Sequence, residues 1–420
     1  MSSSVSTAAP RKSGESAILA VLAAVQFTHI MDFMIMMPLG PQFMRAFGIT
    51  PTQFGLLVST YSFAAGATGF LAGFWMDRFD RKRALLFLYA GFGLGTLCCA
   101  LAPNYWTLLI ARTLAGGFGG VAGSVVMAIV GDVIPHERRG QAMGVIMTAF
   151  SLASILGLPV GLQLAEWFGW HAPFFLLGLM SAVILLTASR LLPKLPAHAH
   201  TSTHDAWENM RVILTHSNHV RAFTLVAVLT AAGALIYPFL SPSMVSNAGL
   251  PEKHLMFIYI FGGAAAFFTS RWFGLLSDRL GKPRVFAWLA YLSAIPTLAV
   301  TLMVPMPVWA ILIVTTLFMV LTSGRFVPGM AMITSSVEAR YRGGFMSVNS
   351  AIQQIAAGLA TAGASLLVSN DAAGHLTGYY RAGLLSLVLI VAAVLLSRRL
   401  RVAPGPAPTP VAVEPVEAIG

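Results

Sequence analysis

The sequence predicts an all-α membrane protein with twelve transmembrane helices in two six-helix bundles that are related by pseudo-two-fold symmetry. Three observations support this fold class. Hydrophobic residues make up 57% of the 420 residues and charged residues only 10%, long apolar runs recur along the chain, and the second half repeats the first. A chain with so little polar surface cannot cover a soluble core, so we expect it to lie in a lipid bilayer.

Twelve apolar runs define the predicted spans, which begin near residues 17, 51, 84, 106, 141, 170, 220, 252, 285, 308, 342 and 380. Each has about 20 mainly apolar residues, the length at which a helix crosses the hydrocarbon layer. Helices are expected rather than barrel strands, because lipid-exposed backbone must satisfy its own hydrogen bonds. The first run carries His29 and Asp32 and ends in Pro38 rather than a cleavage site, which favours a retained span over a signal peptide.

An internal repeat divides these spans into two sets of six. The stretch "GFWMDRFDRKRAL" from residue 73 returns as "GLLSDRLGKPRVF" from residue 274, and "HERRGQAMG" from residue 136 returns as "EARYRGGFMS" from residue 338. The offset stays at 200 to 203 residues, which indicates a tandem duplication. We place the N-terminal bundle at residues 14–192 and the C-terminal bundle at residues 218–401.

The distribution of basic residues predicts the orientation of the spans. The net charge is +11, and 20 of the 26 Lys and Arg residues fall on one side of the membrane when the spans alternate. Such clustering marks the cytoplasmic side. We therefore expect both termini in the cytoplasm, the bilayer as the partner of this surface, and no nucleic-acid partner. The expected location is a bacterial inner membrane.

Three segments lie outside the predicted bundles. They are a cytoplasmic N-terminal tail at residues 1–13, a cytoplasmic linker at residues 193–217 with a short surface helix, and a Pro-rich tail at residues 402–420 that we expect to be disordered. The linker histidines lack a Cys or carboxylate at ligand spacing, so no metal site and no cofactor are expected. Cys98 and Cys99 are read as small buried hydrophobic residues.

Several motifs resemble one transporter family. The charged loops after spans two and eight, "RTLAG" from Arg112 in span four, and "GLPVG" from Gly157 followed by "FGWHAPFF" are similar to signatures of the major facilitator superfamily, in the branch of drug:proton antiporters and arabinose-efflux-like permeases. The resemblance implies the major facilitator fold, with spans one, four, seven and ten lining a central pathway. Asp80 replaces the usual loop glycine, which Gly281 keeps; both suit a turn with positive φ.

The duplicated charged loops suggest a conformational latch. Asp77 and Asp278 stand at helix ends, where each could cap the N-terminus of a facing helix from the other half, after Arg342 and after Arg139 respectively. Such contacts would form when the cytoplasmic side closes. The alternative is a positive cluster that only fixes topology. The candidate latch consists of Asp77, Arg78, Arg81, Asp278 and Arg279.

Asp32 is the carboxylate that lies deep within a predicted span. Counted along the helices, Asp32 and Arg112 both lie roughly 10 Å below the outer boundary, so an ion pair between them is possible. Low dielectric favours a neutral carboxyl group and a nearby guanidinium favours the charged one, so Asp32 could carry a proton. The alternatives are a static ion pair and structural capping by Arg112. The equivalent positions in the second half, Gly233 and Thr315, are neutral.

Other polar residues in the spans are weaker candidates. His29, one turn before Asp32, could relay protons, bind substrate, or be a hydrogen-bonded core histidine. Arg325 could contact substrate, form part of a gate, or serve packing. The full set of substrate-pathway candidates is Gln26, Phe33, Tyr237, Arg325, Asn349 and Gln353.

These observations predict a monomeric secondary transporter that exports a small molecule, such as a drug or sugar, in exchange for protons by alternating access. The span-five motif lacks the Gly-Pro pair and terminal Gly-Gly of typical antiporters, so a proton-coupled importer stays open, as does a membrane scaffold or sensor. An enzyme is not expected. "PHERRG" has Gly140 where a zinc-protease helix needs its second histidine, and no G-x-S-x-G is present.

Overall fold

A computed structural model of the protein describes residues 12–75, 79–135, 138–193 and 203–403. Helices dominate these residues, and the regular structure besides them is a two-stranded antiparallel ribbon in which Ser369 pairs with Thr377 and Asn370 with Leu376. The helices cross back and forth between two faces, as the hydropathy pattern predicts.

The N-terminal half contains six crossings. Its helices are α1 (Lys12–Ile35), α2 (Gly40–Phe47), α3 (Pro51–Trp75), α4 (Arg81–Ala100), α5 (Tyr105–Val133), α6 (Arg139–Leu152), α7 (Leu158–Phe168) and α8 (His171–Leu191). The fifth crossing is composite, because a π-helical segment, Ala153–Gly157, joins α6 to α7. Short α2 precedes the second crossing.

The C-terminal half repeats this order. Its helices are the linker helix α9 (Thr203–Thr215), α10 (Ser217–Ala234), α11 (Tyr237–Ser246), α12 (Leu255–Leu280), α13 (Lys282–Thr301), α14 (Val308–Ser335), α15 (Arg342–Leu367) and α16 (Tyr379–Ser397). Two 3-10 turns, Glu252–His254 and Ala339–Tyr341, precede α12 and α15, and the ribbon of β1 (Ser369–Asn370) and β2 (Leu376–Thr377) precedes α16.

Eleven crossings among the described residues are both long and apolar enough to span a membrane. The twelfth is α15, which has 26 residues but carries Asn349, Gln353 and Gln354. Its polar residues are tolerated because α15 packs along α3 of the other half. Contact is close enough that a Cβ added at Gly66 would stand 2.7 Å from the Ile355 side chain.

The two ends of the crossings differ in how the halves meet. We call the side where Lys12 and Ser397 lie the terminal face and the other side the opposite face. At the opposite face, contacts join the halves: both guanidinium nitrogens of Arg45 donate to the Glu252 carboxylate, and Thr52 Oγ1 donates to the Ser365 carbonyl at 2.9 Å. The ion pair of Glu15 with Arg138 at the terminal face stays within one half.

The fifth and eighth crossings also separate towards the terminal face. Helix α12 packs against the π segment and α7, which are the opposite-face part of the fifth crossing, and scarcely touches α6. Gly263 lies against Ser154, since a Cβ added at Gly263 would stand 3.4 Å from the Ser154 carbonyl oxygen. The fifth and eighth crossings are therefore in contact near the opposite face and have few contacts between α6 and α12.

The two charged loops begin their following helices in different ways. Gly281 has φ 91°, as expected for the signature glycine. Asp80 has φ −57°, and its side chain accepts a hydrogen bond from the Arg83 amide at 2.8 Å, so it caps α4. The expectation of a positive φ at Asp80 is wrong, because a capping carboxylate offers the helix terminus a hydrogen bond that glycine cannot.

Candidate functional site: a buried ion pair in the N-terminal bundle

Antiparallel packing of α1 and α5 brings Asp32 and Arg112 together. A capping box fixes the start of α5: the Asn104 side chain accepts from the Thr107 amide, and the Thr107 hydroxyl stands 3.3 Å from the Asn104 amide. Arg112 follows two turns later. Its Nη1 lies 2.8 Å from Asp32 Oδ2 and 3.4 Å from the Asp32 carbonyl oxygen. The structure thus contains an ion pair that the helical heights make possible.

Two further side chains complete the surroundings of the pair. Thr96 Oγ1 on α4 donates to Asp32 Oδ1 at 3.2 Å, and the Arg112 guanidinium lies over the Tyr61 ring of α3, 4.3 Å from its centroid. Asp32 is 0% exposed and Arg112 is 1% exposed. The pair is therefore enclosed by four helices of one bundle. Removing either charge would leave the other buried without a partner, which is strongly unfavourable.

His29 lies beside this pair without a hydrogen-bonded partner. Both ring nitrogens are buried and unpaired within the described part of the chain. Its ring is flanked by Phe92, with centroids 5.8 Å apart, and Tyr61, at 6.4 Å. No protein group among the described residues supplies the hydrogen bond that a core histidine would make, and the roles considered for His29 stay predictions. Phe33 also lies against Tyr61, at 5.6 Å, so Tyr61 is the common neighbour of His29, Phe33 and Arg112.

The C-terminal bundle buries an arginine differently. Arg325 on α14 is 2% exposed, and its Nη1 donates to Ser293 Oγ on α13 at 2.9 Å. No carboxylate pairs with it among the described residues. A small dry space beside it is lined by Leu229, Ala232, Phe286, Ala290, Ile390 and Ala393. The guanidinium thus lies inside the bundle, among α10, α13, α14 and α16, which fits the packing alternative.

The remaining pathway candidates are spread over several helices. Tyr237 packs on Phe318 with ring centroids 5.2 Å apart, Gln26 and Gln353 are partly buried, and Asn349 is fully buried with both amide atoms unpaired in the described structure. The structure brings Gln26, His29, Phe33, Asp32 and Arg112 together in the N-terminal bundle. Sequence reasoning missed Tyr61, Thr96 and Ser293, because a hydroxyl in an apolar span gives no signal of its orientation.

The latch residues are only partly described. Asp77 and Arg78 lie outside the described residues. Arg81 pairs with Asp132 of its own half at 2.9 Å, while Asp278 and Arg279 are exposed. Asp278 has no partner among the described residues, and near the start of α6 Arg139 Nε donates to the Ile134 carbonyl at 3.1 Å. No hydrogen bond or ion pair joins Asp278 to the described residues of α6.

Metal-binding geometry is not found in the described ranges. No group of three or more His, Cys, Asp or Glu side chains there could hold a metal ion. The groups that the site offers are a buried carboxylate, a guanidinium and a neighbouring imidazole.

Comparison with known proteins gives a consistent family. The family model described as Major Facilitator Superfamily matches residues 22–306 and 222–419. A curated relative from Helicobacter pylori (strain P12), named "Probable sugar efflux transporter", is 27% identical over 219 residues, which cover 52% of this chain and 55% of the relative. The match thus spans about half the length of that curated relative.

Two solved structures share the fold. A bacterial homologue of the human lysosomal transporter Spinster, inward-facing and unoccupied, has a TM-score of 0.73 at 16% identity, over 93% of this chain and 98% of its own. The nucleoside transporter NupG has a TM-score of 0.70 at 12% identity, over 91% and 98%. Family and relatives are membrane transporters rather than enzymes. The chain therefore belongs to the major facilitator superfamily and is a multi-pass membrane protein.

Proposed function

We propose that this transporter exports a small, sugar-like molecule from the bacterial cytoplasm in exchange for protons, and that Asp32 carries the proton. The observation that carries the proposal is the enclosed ion pair of Asp32 with Arg112. A charge pair inside hydrocarbon is costly to keep, and a static pair would gain little over apolar packing. If the Asp32 carboxylate alternates between a paired and a protonated state, the pair serves to carry a proton.

Protonation of Asp32 would release Arg112 from its carboxylate partner. The guanidinium would then keep its contact with the Tyr61 ring, and the new carboxyl proton could be donated to the Asp32-facing hydroxyl of Thr96. Two arrangements of the same four helices would thus differ by one proton. Coupling follows if cargo favours one arrangement, because a ligand shifts a conformational equilibrium only by its differential affinity.

Alternating access is supported by the unequal closure of the two faces. The Arg45–Glu252 pair and the Thr52–Ser365 hydrogen bond hold the opposite face, while α6 and α12 separate at the terminal face. We assign the terminal face to the cytoplasm from the basic residues, with both termini inside. The charged loops at Asp77 and Asp278 would then act as the latches that close this side.

Export of a sugar-like cargo is supported by the name of the curated relative. The partly buried Gln26 and Gln353 add amide groups that can bond to hydroxyl groups of such a cargo.

The test uses the full chain in sealed liposomes with pH gradients of both signs. The probes are labelled arabinose, labelled glucose and ethidium. Antiport predicts accumulation of a probe when the lumen is acid, and symport predicts it when the outside is acid. Asp32→Asn should remove gradient-driven accumulation. The control is Asp371→Asn, which neutralises an exposed carboxylate in a loop and should retain accumulation. Accumulation by Asp32→Asn at the native level would overturn the proposed role of Asp32.

A further inference from the structure

A row of polar side chains on α1 runs from the ion pair towards the terminal face. Gln26, His29 and Asp32 are three residues apart, so they share one side of the helix with a rise of about 4.5 Å per step. Helix α5 runs in the reverse direction and presents Gly123, Gly119 and Arg112 to them. A Cβ added at Gly123 would stand 3.6 Å from Gln26 Oε1, and a Cβ added at Gly119 would stand 2.7 Å from the His29 ring.

The glycines of α5 fall into two rows with different neighbours. Gly116 and Gly120 press against the backbone of α3, at Tyr61 and Ala65, which is ordinary close packing of helices. Gly119 instead faces side chains: an added Cβ would lie 3.0 Å from His29 Nε2 and 3.1 Å from Phe92 Cδ2. The absence of a side chain at Gly119 therefore makes the room in which the imidazole stands.

Unpaired buried polar atoms follow this row. They are Gln26 Oε1, both ring nitrogens of His29, the Tyr61 hydroxyl and Arg112 Nε, none of which has a partner among the described residues. Tyr61 is 0% exposed. Buried polar groups are almost always hydrogen-bonded, and where protein groups do not supply the partner, ordered water does. A cluster of such atoms beside a buried acid indicates a hydrated path rather than a packing fault.

We propose that Gln26, His29 and the Tyr61 hydroxyl form a hydrated file through which protons pass between Asp32 and the terminal face. This inference rests on the proposed proton coupling by Asp32. His29 is the central member, since its imidazole can accept a proton at one ring nitrogen and release one from the other. Gln26 and Tyr61 position the water molecules on either side of the imidazole.

Proton transfer along the file needs no reactant other than water. As the Asp32 carboxyl O–H bond breaks, one His29 ring nitrogen gains a proton directly or through a water molecule. The other ring nitrogen then releases its proton to water near Gln26, and the imidazole is neutral again. The titratable and charged groups that face His29 are Asp32 on its own helix, Tyr61 on α3 and Arg112 on α5, while α4 contributes the uncharged Phe92.

The experiment follows the carboxyl band of Asp32 by time-resolved infrared spectroscopy after light releases protons from a caged compound. The sample is the purified full chain, and Asp32→Asn identifies the band by removing it. We expect His29→Phe, which keeps a ring but no nitrogen, to slow appearance of the band by roughly tenfold or more. His29→Gln keeps hydrogen-bonding atoms and should be slowed less.

Two glycine variants separate the file from general damage to α5. Gly119→Ala should displace the imidazole and slow the band, although His29 itself is unchanged. Gly117→Ala should keep the native rate, because its Cβ would make only ordinary contacts, the nearest 3.6 Å away at Thr68 Cγ2. All variants are first compared for a single symmetric peak in size-exclusion chromatography.

The rates of the His29 and glycine variants decide whether the file exists. Slowing by His29→Phe and Gly119→Ala, with a native rate for Gly117→Ala, supports the file. Native rates in both His29→Phe and Gly119→Ala would overturn the file and leave Asp32 as the coupling acid. Equal slowing by the two glycine variants would also overturn it, since distortion of α5 then explains the effect. A native protein without a titrating Asp32 band would overturn the proposed coupling itself.

Discussion

Among the residues that the structure describes, each bundle buries one arginine, but the two arginines have different partners. Arg112 in the N-terminal bundle meets the Asp32 carboxylate at 2.8 Å, whereas Arg325 in the C-terminal bundle meets only the Ser293 hydroxyl among described side chains, at 2.9 Å. The two arginines are not equivalent in the repeat, because Thr315 stands at the position that corresponds to Arg112, and among the described residues only the N-terminal arginine has a buried acid as its partner. A paired charge can change state by gaining a proton, and an arginine with a hydroxyl partner cannot.

This difference assigns different roles to the halves. Asp32→Asn would make the N-terminal site resemble the C-terminal one, with a buried guanidinium held by neutral groups. If the comparison is sound, the two arginines should respond to substitution in opposite ways.

The largest effect is expected for Asp32→Asn. Loss of the carboxylate leaves Arg112 unpaired, which should lower the free energy of unfolding by about 3–5 kcal/mol and remove proton coupling. Thermal unfolding of the purified protein, followed by intrinsic fluorescence, measures the first effect. In the double variant with Arg112→Gln, stability should return towards the native value while coupling stays lost. A double variant no more stable than Asp32→Asn would show that the unpaired charge is not the cause.

Replacement of the other arginine should have a smaller effect of opposite sign. Arg325→Met removes a cation that has no carboxylate partner among the described residues and fills its space with an apolar chain, so stability should be unchanged or higher, by up to about 1–4 kcal/mol. Arg112→Met, measured by the same unfolding assay, should be destabilising. Loss of probe flux in Arg325→Met at native stability would break the comparison, because Arg325 would then act in transport.

The contact between the halves at the opposite face sharpens the comparison further. Glu252→Gln removes the carboxylate that receives both Arg45 nitrogens. The Arg45 side chain is 61% exposed, so the pair should contribute only about 0.2–1 kcal/mol. We expect an increase of up to about fivefold in the population open at this face, measured as the labelling rate of a cysteine at Met256, which lines the space beside this pair. Arg381→Gln, in an exposed position of the same face, is the control and should leave that rate unchanged.

The smallest effect on stability is expected for Asp278→Asn. The carboxylate is exposed and unpartnered in the described structure, so unfolding should change by less than about 0.5 kcal/mol. If the loop is a latch in the closed state, the variant should still favour opening of the terminal face, measured by labelling of a cysteine at Met147 on α6. An unchanged labelling rate would contradict the latch and favour the alternative, in which the basic residues of the loop only fix the orientation of the spans.

Much of the architecture and part of the site could be predicted from the sequence. The repeat can be read directly from the sequence. The spans and the shared depth of Asp32 and Arg112 follow from the rise of a helix and the cost of burying polar groups, which act locally along the chain. For the same reason, the Gln26, His29 and Asp32 row is visible in the spacing of α1. The Asp80 error arose because a side-chain cap and a positive φ are alternative solutions to one turn.

Only the tertiary structure decided where the side chains point. Rise along a helix sets height, but rotation about its axis is set by packing against neighbours, which no single span encodes. That rotation placed Tyr61 over Arg112, turned Arg325 into its own bundle, and set His29 against Gly119. The sequence by itself thus determined which polar groups enter the membrane and at what depth, while helix packing determined which of them meet.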